Sequence, residues 1–370
     1  MPVEMEGVLT VAIPVERAVD FTRRAFLAAG VPEDDARKAA IALVDADLHG
    51  VSTHGIKNLT GYVRAVQSGR ANGRPNVHVT GGAGAIGQMS GDGGLGHVTA
   101  YHGMERAIDL AREYGVGCVF MRESNHYGAS GYWARLAAQA GMAGFAVTNA
   151  GAGIAAWGGT EPLVGNNPPA WALPGGAGPD DAVFLDMALS VVAGNRLDIY
   201  RRRGQPIPPG WALDKNGEPT TDPRARAQGG SLAAMGGYKG VGLALVLSLF
   251  TSLLADGAFD YDTGRADAIH PGRSHWFMAF DIARLVPLER FTARVAEVAE
   301  RVHHSPPRAG VERLYLPGEI ENDFARRQRE TGILYEPFIF ADLQALAASL
   351  GIAYDLPSNA PERGSAVTAP

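Results

Sequence analysis

Between residues 97 and 149 the chain exchanges helical for strand-like patterning, and this exchange restricts the fold more than any other stretch. HVTAYHGMERAIDLAREYG places its apolar residues three and four apart, and GVGCVFMR follows as a short apolar run. SNHYGASGYWARLAAQAG then opens from a loop into a second helix, and MAGFAVTNA is a second run. A helical period that repeatedly gives way to short apolar runs predicts helices packed on a sheet, an α/β or α+β architecture.

The flanks read differently. PVERAVDFTRRAFLAAGV, PEDDARKAAIALVDADLHG and HGIKNLTGYVRAVQSG are all expected helices, the second with proline and acids where a helix begins. After Gly73 the signals turn to short strands, NVHVT and AIGQMSGD. Residues 150 to 181 read as one long loop, PPGWALDKNGEPTTDPRA as a surface excursion, and Val241 to Leu254 as a buried core helix. VFLDMA and SHWFMAFDI are expected strands, and AGNRLDIYRRRG, PLERFTARVAEVAERVHH and FADLQALAASLG expected helices.

Forty-eight glycines and 23 prolines occupy close to a fifth of the 370 residues, against a usual share of about 12 per cent. A hydrophobic content of 46% excludes wholesale disorder, so the excess belongs in ordered loops, where sites concentrate. The net charge of −6 provides no field for phosphate backbones, and the one basic run is Arg201 to Arg203. Neither nucleic acid nor a membrane is an expected partner. The single cysteine, Cys118, excludes an internal disulfide framework and reads as a buried small hydrophobe. An acidic N-terminal stretch without a following apolar segment makes the cytoplasm the expected compartment.

GAGAIG carries Gly82, Gly84 and Gly87 at the spacing of a dinucleotide-binding turn. That role requires the last glycine to open a helix facing the pyrophosphate. QMSGDGGLG intervenes before any helix, so the expectation is an ordinary turn. Two histidines sit at glycine-flanked helix beginnings, His54 in STHGIKN and His126 in ESNHYGASGYWA. Helix N-termini lower an imidazole pKa and favour anions, so either ring suits proton exchange beside a carboxylate substrate; a satisfied core histidine is the competing reading. Asp186 in VFLDMALS is a carboxylate among apolar residues, bonded to backbone amides or functional. GNNPPAWALP and GGYKG supply tight turns and one lysine, able to cradle phosphates. His49 and His54, like His97 and His102, are five apart and have no cysteine or carboxylate cluster beside them, so no metal site is expected.

Taken in order, DLHGVSTHGI, DGGLGHVTAYHGMERAIDLAREYGVG, SNHYGASGYWARLAAQAGMAGFAVTNA, WGGTEPLVGNNPPAWALP, FLDMALS and GGYKGVGLAL resemble the type-2 malate/L-lactate dehydrogenase family, from about residue 15 to about residue 340. The resemblance implies a cytosolic homodimer with a non-Rossmann nicotinamide-binding domain built on a mixed, largely antiparallel sheet, at 76–284. It implies a helical substrate and dimerisation domain from 1–75 with 285–355; 356–370 reads as a disordered tail. NADH or NADPH is the implied cofactor. The implied activity is reduction of a C=O or cyclic C=N group, with oxidation of a 2-hydroxy acid as the alternative and a catalytically silent ligand-binding relative as another.

By the same resemblance His126 is the acid/base, His54 and Thr53 orient the substrate with Tyr62, and Asp186 stands near the reacting group. Asn149, Asp186, Met187, Ala188 and Lys239 fall in cofactor-lining stretches, as do Gly318 and Glu319 after Pro317. Two positions depart from the family pattern. Thr53 replaces a serine, and Asn58 replaces the arginine expected to clamp a substrate carboxylate through two charged hydrogen bonds. Lys57 is one step away, rotated by about 100° on a helix, and does not simply substitute. A substrate whose carboxylate is masked, displaced or absent is therefore expected.

Overall fold

The computed structural model describes residues 11–176, 181–263, 265, 267 and 270–357. Its contacts divide the chain into two compact units: residues up to Arg74 together with those from Glu319 onward, and Pro75–Gly318.

The second unit is built on a seven-stranded sheet in the order His78–Ala83, Ile86–Ser90, Val116–Ser124, Arg273–Asp281, Met142–Thr148, Pro169–Leu173 and Val183–Asp186. Only Ile86–Ser90 and Val116–Ser124 run parallel; every other neighbouring pair is antiparallel. The sheet is thus mixed and largely antiparallel, unlike the parallel sheet of a Rossmann fold. Helices Gly96–Tyr114 and Ser130–Gln139 pack closely on it because glycines face them. A Cβ at Gly117 would stand 1.9 Å from the Ala107 carbonyl oxygen, and one at Gly144 2.2 Å from that of Ala134. Val119, Ala146 and Phe277 are fully buried in the sheet's core.

GAGAIG is the turn of a hairpin: Gly82 pairs with Gly87, and Gly82 and Gly84 take φ of +106° and +55°. A Cβ at Gly82 would lie 2.1 Å from the Ile86 carbonyl oxygen, which accounts for the glycine without a phosphate.

Several expectations need correction. Residues 150 to 181 are not one loop: Ile154–Ala155, Pro162–Val164 and Pro169–Leu173 are strands. The expected surface excursion joins the first two of them in a second sheet through Ala212–Leu213, Pro219–Thr220 and Ser231–Leu232, over a core of Ile154, Leu197, Ile207, Ala212 and Leu232. The apolar run from Val241 forms helix Tyr238–Ser248 and a wider turn, Leu249–Leu253, but only one face is covered. Leu243, Val246, Leu249, Phe250 and Leu253 are 39–56% exposed in the single chain. Cys118 is half-buried and accepts the Trp276 indole N–H at 3.2 Å.

The first unit is helical. Val15–Ala28, Glu33–Leu48 and Leu59–Gln67 are joined by Glu319–Thr331 and Pro337–Leu350, and Val11–Ile13 pairs with Ile333–Tyr335. Glu33, Asp34 and Asp35 occupy the first turn after Pro32, where acids suit the helix dipole. Phe21, Phe26, Leu43, Val63 and Phe340 are buried. Helix Leu288–His303 falls in the second unit, whereas 285–355 was expected with the helical domain. Of the expected tail, 358–370 lies outside the described residues. Among the described residues no helix is long and apolar enough to cross a membrane.

Candidate active site

In the second unit, strand Val116–Ser124 ends where the histidine loop begins, and Asn125 to Gly128 lead into helix Ser130–Gln139. The loop is held from below. Asn125 Nδ2 donates to the carbonyls of Gly93 and Gly94 at 2.8 and 2.9 Å. A Cβ at Gly96 would come within 2.3 Å of the carbonyl oxygens of both Asn125 and His126, so the start of helix Gly96–Tyr114 abuts this backbone directly. His126 itself is half-buried, and Gly128 follows with φ of +80°.

Tyr127 is buried beside it. Its hydroxyl pairs with Ser130 Oγ at 2.8 Å, Ser130 Oγ donates to the Pro168 carbonyl at 2.8 Å, and Trp133 Nε1 donates to the Tyr127 carbonyl at 3.1 Å. Burial, with the nearby Asp186 charge, holds the phenol well above its ordinary pKa. Asp186 closes strand Val183–Asp186, and its Oδ2 accepts the Gly131 N–H at 2.7 Å. The carboxylate therefore caps the helix into which the His126 loop runs, where the macrodipole favours a negative charge. His126 and Asp186 are brought to the same helix N-terminus.

The cofactor candidates divide. Met187 and Ala188 are half-buried beyond Asp186, with the Met187 N–H donating to the Pro169 carbonyl at 3.2 Å. Gly318 is buried with φ of +89°, and a Cβ there would strike the Phe184 ring at 2.5 Å; the Phe184 N–H donates to the Pro317 carbonyl at 3.1 Å. Phe184 is two residues before Asp186. Glu319 begins the first-unit helix Glu319–Thr331. Lys239 is exposed in the first turn of helix Tyr238–Ser248, after Gly236 and Gly237 at φ near +60°.

Asn149 is a brace. Its fully buried amide donates to Ser252 Oγ and the Ala258 carbonyl, both at 3.0 Å, and accepts the Ser274 N–H at 2.8 Å. Asn167 of GNNPP does the same work: it accepts the Ala150 N–H at 2.8 Å and donates to Asp260 Oδ2 at 3.0 Å. Asp260, whose pKa burial raises, also bonds Ser248 and the Gly165 N–H. These side chains pin loops to the sheet and to helix Tyr238–Ser248.

Sequence reading missed His275. It is fully buried, stacks on Tyr127 with centroids 4.6 Å apart and planes 9° from parallel, and bonds Thr148 Oγ1 and Ser124 Oγ through its two ring nitrogens. Burial, aided by Arg273, pulls its pKa down to about 3. A signal existed: His275, Phe277 and Ala279 share the buried phase of the strand, and a polar residue on that phase needs a partner.

In the first unit, helix Glu33–Leu48 is followed by tight turns Ser52–His54 and Ile56–Asn58 and then helix Leu59–Gln67. Asp47, also missed, lies buried beneath the turns. Its Oδ2 accepts the Ile56 N–H at 2.7 Å and the Tyr335 hydroxyl at 3.0 Å. A Cβ at Gly55 would stand 1.8 Å from Asp47 Oδ1, so only glycine fits. Burial raises Asp47 to about 7, with Lys57 opposing; burial and then Lys57 lower His54 to about 4. Thr53 Oγ1 pairs with His54 Nδ1 at 2.8 Å, and Asn58 Nδ2 donates to the Thr53 carbonyl at 3.0 Å. The structure thus joins Thr53, His54 and Asn58 in one loop, with half-buried Tyr62 four residues beyond Asn58 in the helix that follows. Lys57 is in a single 3-10 turn and not on an α-helix, and its charge reaches both His54 and Asp47.

Residues 13–344 match the family described as malate/L-lactate dehydrogenase. The chain belongs to this family. A malate dehydrogenase of Pyrococcus horikoshii is 35% identical over 349 residues, covering 92% of this chain and 96% of that protein. A Delta(1)-pyrroline-2-carboxylate reductase of Ancylobacter novellus is 31% identical over 88% of this chain and 94% of that one. The solved malate dehydrogenase structure from Pyrococcus horikoshii superposes with a TM-score of 0.85 at 32% identity, covering 93% and 97% of the two chains. Malate/L-lactate dehydrogenases are NAD(P)-dependent oxidoreductases, and this chain is one of them.

The second unit suits a nicotinamide dinucleotide. At Gly151 and Gly236 nothing lies within 4 Å of where a Cβ would stand, so a flat ring or a phosphate has room at the backbone. Exposed Lys239 offers a cation to a phosphate.

Proposed function

We propose that this enzyme reduces a C=O or cyclic C=N group whose neighbouring carboxylate is masked, displaced or absent. The observation that carries the substrate class is Asn58: a neutral amide, donating one N–H to the Thr53 carbonyl at 3.0 Å, stands where the family pattern expects a guanidinium. Lys57 supplies a positive charge felt by His54, a point charge that cannot grip a carboxylate bidentately.

The bound nicotinamide, NADH or NADPH, supplies the hydride or accepts it in the reverse direction. His126 gives a proton to the carbonyl oxygen and recovers one from solvent. For an imine, His126 or Asp186 delivers the proton to nitrogen. His54, held near pKa 4, is neutral at pH 7 and orients substrate by hydrogen bonding, with Thr53 fixing its ring and Tyr62 assisting. Asp186, Met187, Ala188, Lys239, Gly318 and Glu319 hold the cofactor, and Asn149 supports that surface. Retention of His54, His126 and Asp186 speaks against a silent relative. The uncovered stripe Leu243, Val246, Leu249, Phe250 and Leu253 supports a homodimer, because apolar patches of this kind mark interfaces.

The test is a screen of NADH and NADPH oxidation over 2-oxo acids, neutral ketones and cyclic imines. Neutral ketones, or imines without an adjacent carboxylate, are expected to lead. Efficient turnover of pyruvate or oxaloacetate would overturn the substrate class, and failure to bind either cofactor in a fluorescence titration would overturn the enzyme reading.

A further inference from the structure

We propose that His275 is a positioning residue for the reaction, acting through Tyr127 and Ser124 to set where the His126 ring stands. The inference rests on the reading of His126 as the acid/base. Its basis is a hydrogen-bond chain that crosses three strands in one direction. Thr148 Oγ1 lies 2.9 Å from the Asn149 carbonyl and 3.2 Å from that of Ser274, groups that only accept, so its single proton goes to a carbonyl. Thr148 therefore accepts from His275 Nδ1, 2.8 Å away, and Nδ1 carries the proton. In a neutral imidazole Nε2 must then accept, and Ser124 Oγ at 2.7 Å donates to it. With the Ser124 proton used, Thr99 Oγ1 is the donor in its 2.5 Å contact with Ser124 Oγ and shares that proton with the Gly96 carbonyl at 3.1 Å. The tautomer is assigned from these partners.

The chain's effect falls on the loop. Ser124 is the last residue of its strand, two before His126, and Thr99 stands in the helix turn whose Gly96 abuts the His126 carbonyl. On the other side, the His275 ring is the parallel wall against which Tyr127 lies, and Tyr127 follows His126 directly. A phenylalanine would fill the same volume but leave the Ser124 and Thr148 hydroxyls without their ring partner, and a glutamine would keep the bonds but lose the wall.

The experiment reads His126 first without substrate. In the free protein labelled with ¹³C-histidine, NMR titration of His126 is compared between wild type and His275→Gln. A move of the His126 midpoint by at least about half a pH unit is expected as its surroundings change; an unmoved midpoint in a folded variant overturns the proposal. Kinetics follow with the best substrate of the screen. His275→Gln is expected to lower kcat about tenfold or more, as misplacement of a reacting group does, with NADH and NADPH affinity retained. In the His126→Ala background the same substitution should lower kcat no further, because a residue that acts through His126 has nothing left to position. A further, additive loss there would mean a merely structural role. Should His126→Ala alone leave kcat unchanged, the acid/base reading fails and this inference with it, which separates the two failures. If His275→Gln does not fold, Ser124→Ala, which removes the bonds to His275 and Thr99 and keeps the stack, carries the same titration and cycle.

Discussion

The two histidine loops rest on anchors of opposite electrostatic kind. STHGIKN in the first unit stands on a buried carboxylate, Asp47, which gathers the Ile56 N–H and the Tyr335 hydroxyl. The NHYG loop in the second unit stands on neutral groups, His275, Ser124 and Tyr127. A carboxylate anchor draws amides strongly but is costly to bury; a neutral chain of hydroxyls and imidazole is cheaper to bury and tolerates no change of proton count. The loop expected to grip variable substrates carries the adjustable anchor, and the loop expected to move a proton carries the fixed one.

The largest effect that tests this division is on turnover. His126→Ala is expected to lower kcat by at least about a hundredfold at similar cofactor affinity, the signature of a lost general acid. His54→Ala should instead act chiefly on KM. If the two variants exchanged these effects in steady-state assays, the assignment of chemistry to one loop and orientation to the other would be broken.

Next is Asn58→Arg. Restoring a guanidinium should lower KM for 2-oxo acids about tenfold or more, since a hydrogen bond to a charged group contributes about 1.5–3 kcal/mol. An unchanged KM for pyruvate and oxaloacetate would show that Asn58 does not set the substrate class.

Smaller again is Gly55→Ala. Its Cβ would overlap the Asp47 carboxylate at 1.8 Å, so the carboxylate or the turn must shift. Overpacking of this sort costs about 1–3 kcal/mol. The expected result in calorimetry is a lower Tm, with KM raised more than kcat is lowered; a wild-type Tm would mean that the turn yields freely.

How much of this could be seen in the sequence follows from the range of each interaction. Helices and strands between 97 and 149 announce themselves by period, and the GAGAIG turn by the absence of a helix after it. Thr53, His54 and Asn58 are within five residues of one another, so their motif already carried their association. Strands of two or three residues such as Ile154–Ala155 have no period to detect, which is why residues 150 to 181 read as loop. The insertion of Arg273–Asp281 between Val116–Ser124 and Met142–Thr148 depends on pairing across more than 100 residues, outside any local pattern. Asp47 with Tyr335 and His275 with Ser124 are hidden for the same reason. The run from Val241 misled differently: hydrophobicity says that a face avoids water, not which chain covers it.

The smallest effect at any one pH step is the sharpest test of the two anchors, because the signs differ. Asp47 is raised from 3.8 to about 7, so the fold binds its proton more tightly than the unfolded chain; the stability this contributes is present below pH 3.8 and is lost as pH rises toward 7. His275 is lowered from 6.5 to about 3, so its contribution is present above pH 6.5 and is lost as pH falls toward 3. Asp47→Asn and His275→Gln remove these titrations. Between about pH 4 and 6.5 the Tm of Asp47→Asn should therefore gain on wild type as pH rises, and that of His275→Gln should gain as pH falls. The slopes are bounded by about 1.4 kcal/mol per pH unit, or a few degrees in Tm. Parallel slopes in calorimetry across that window would mean that the two loops share one kind of anchor after all.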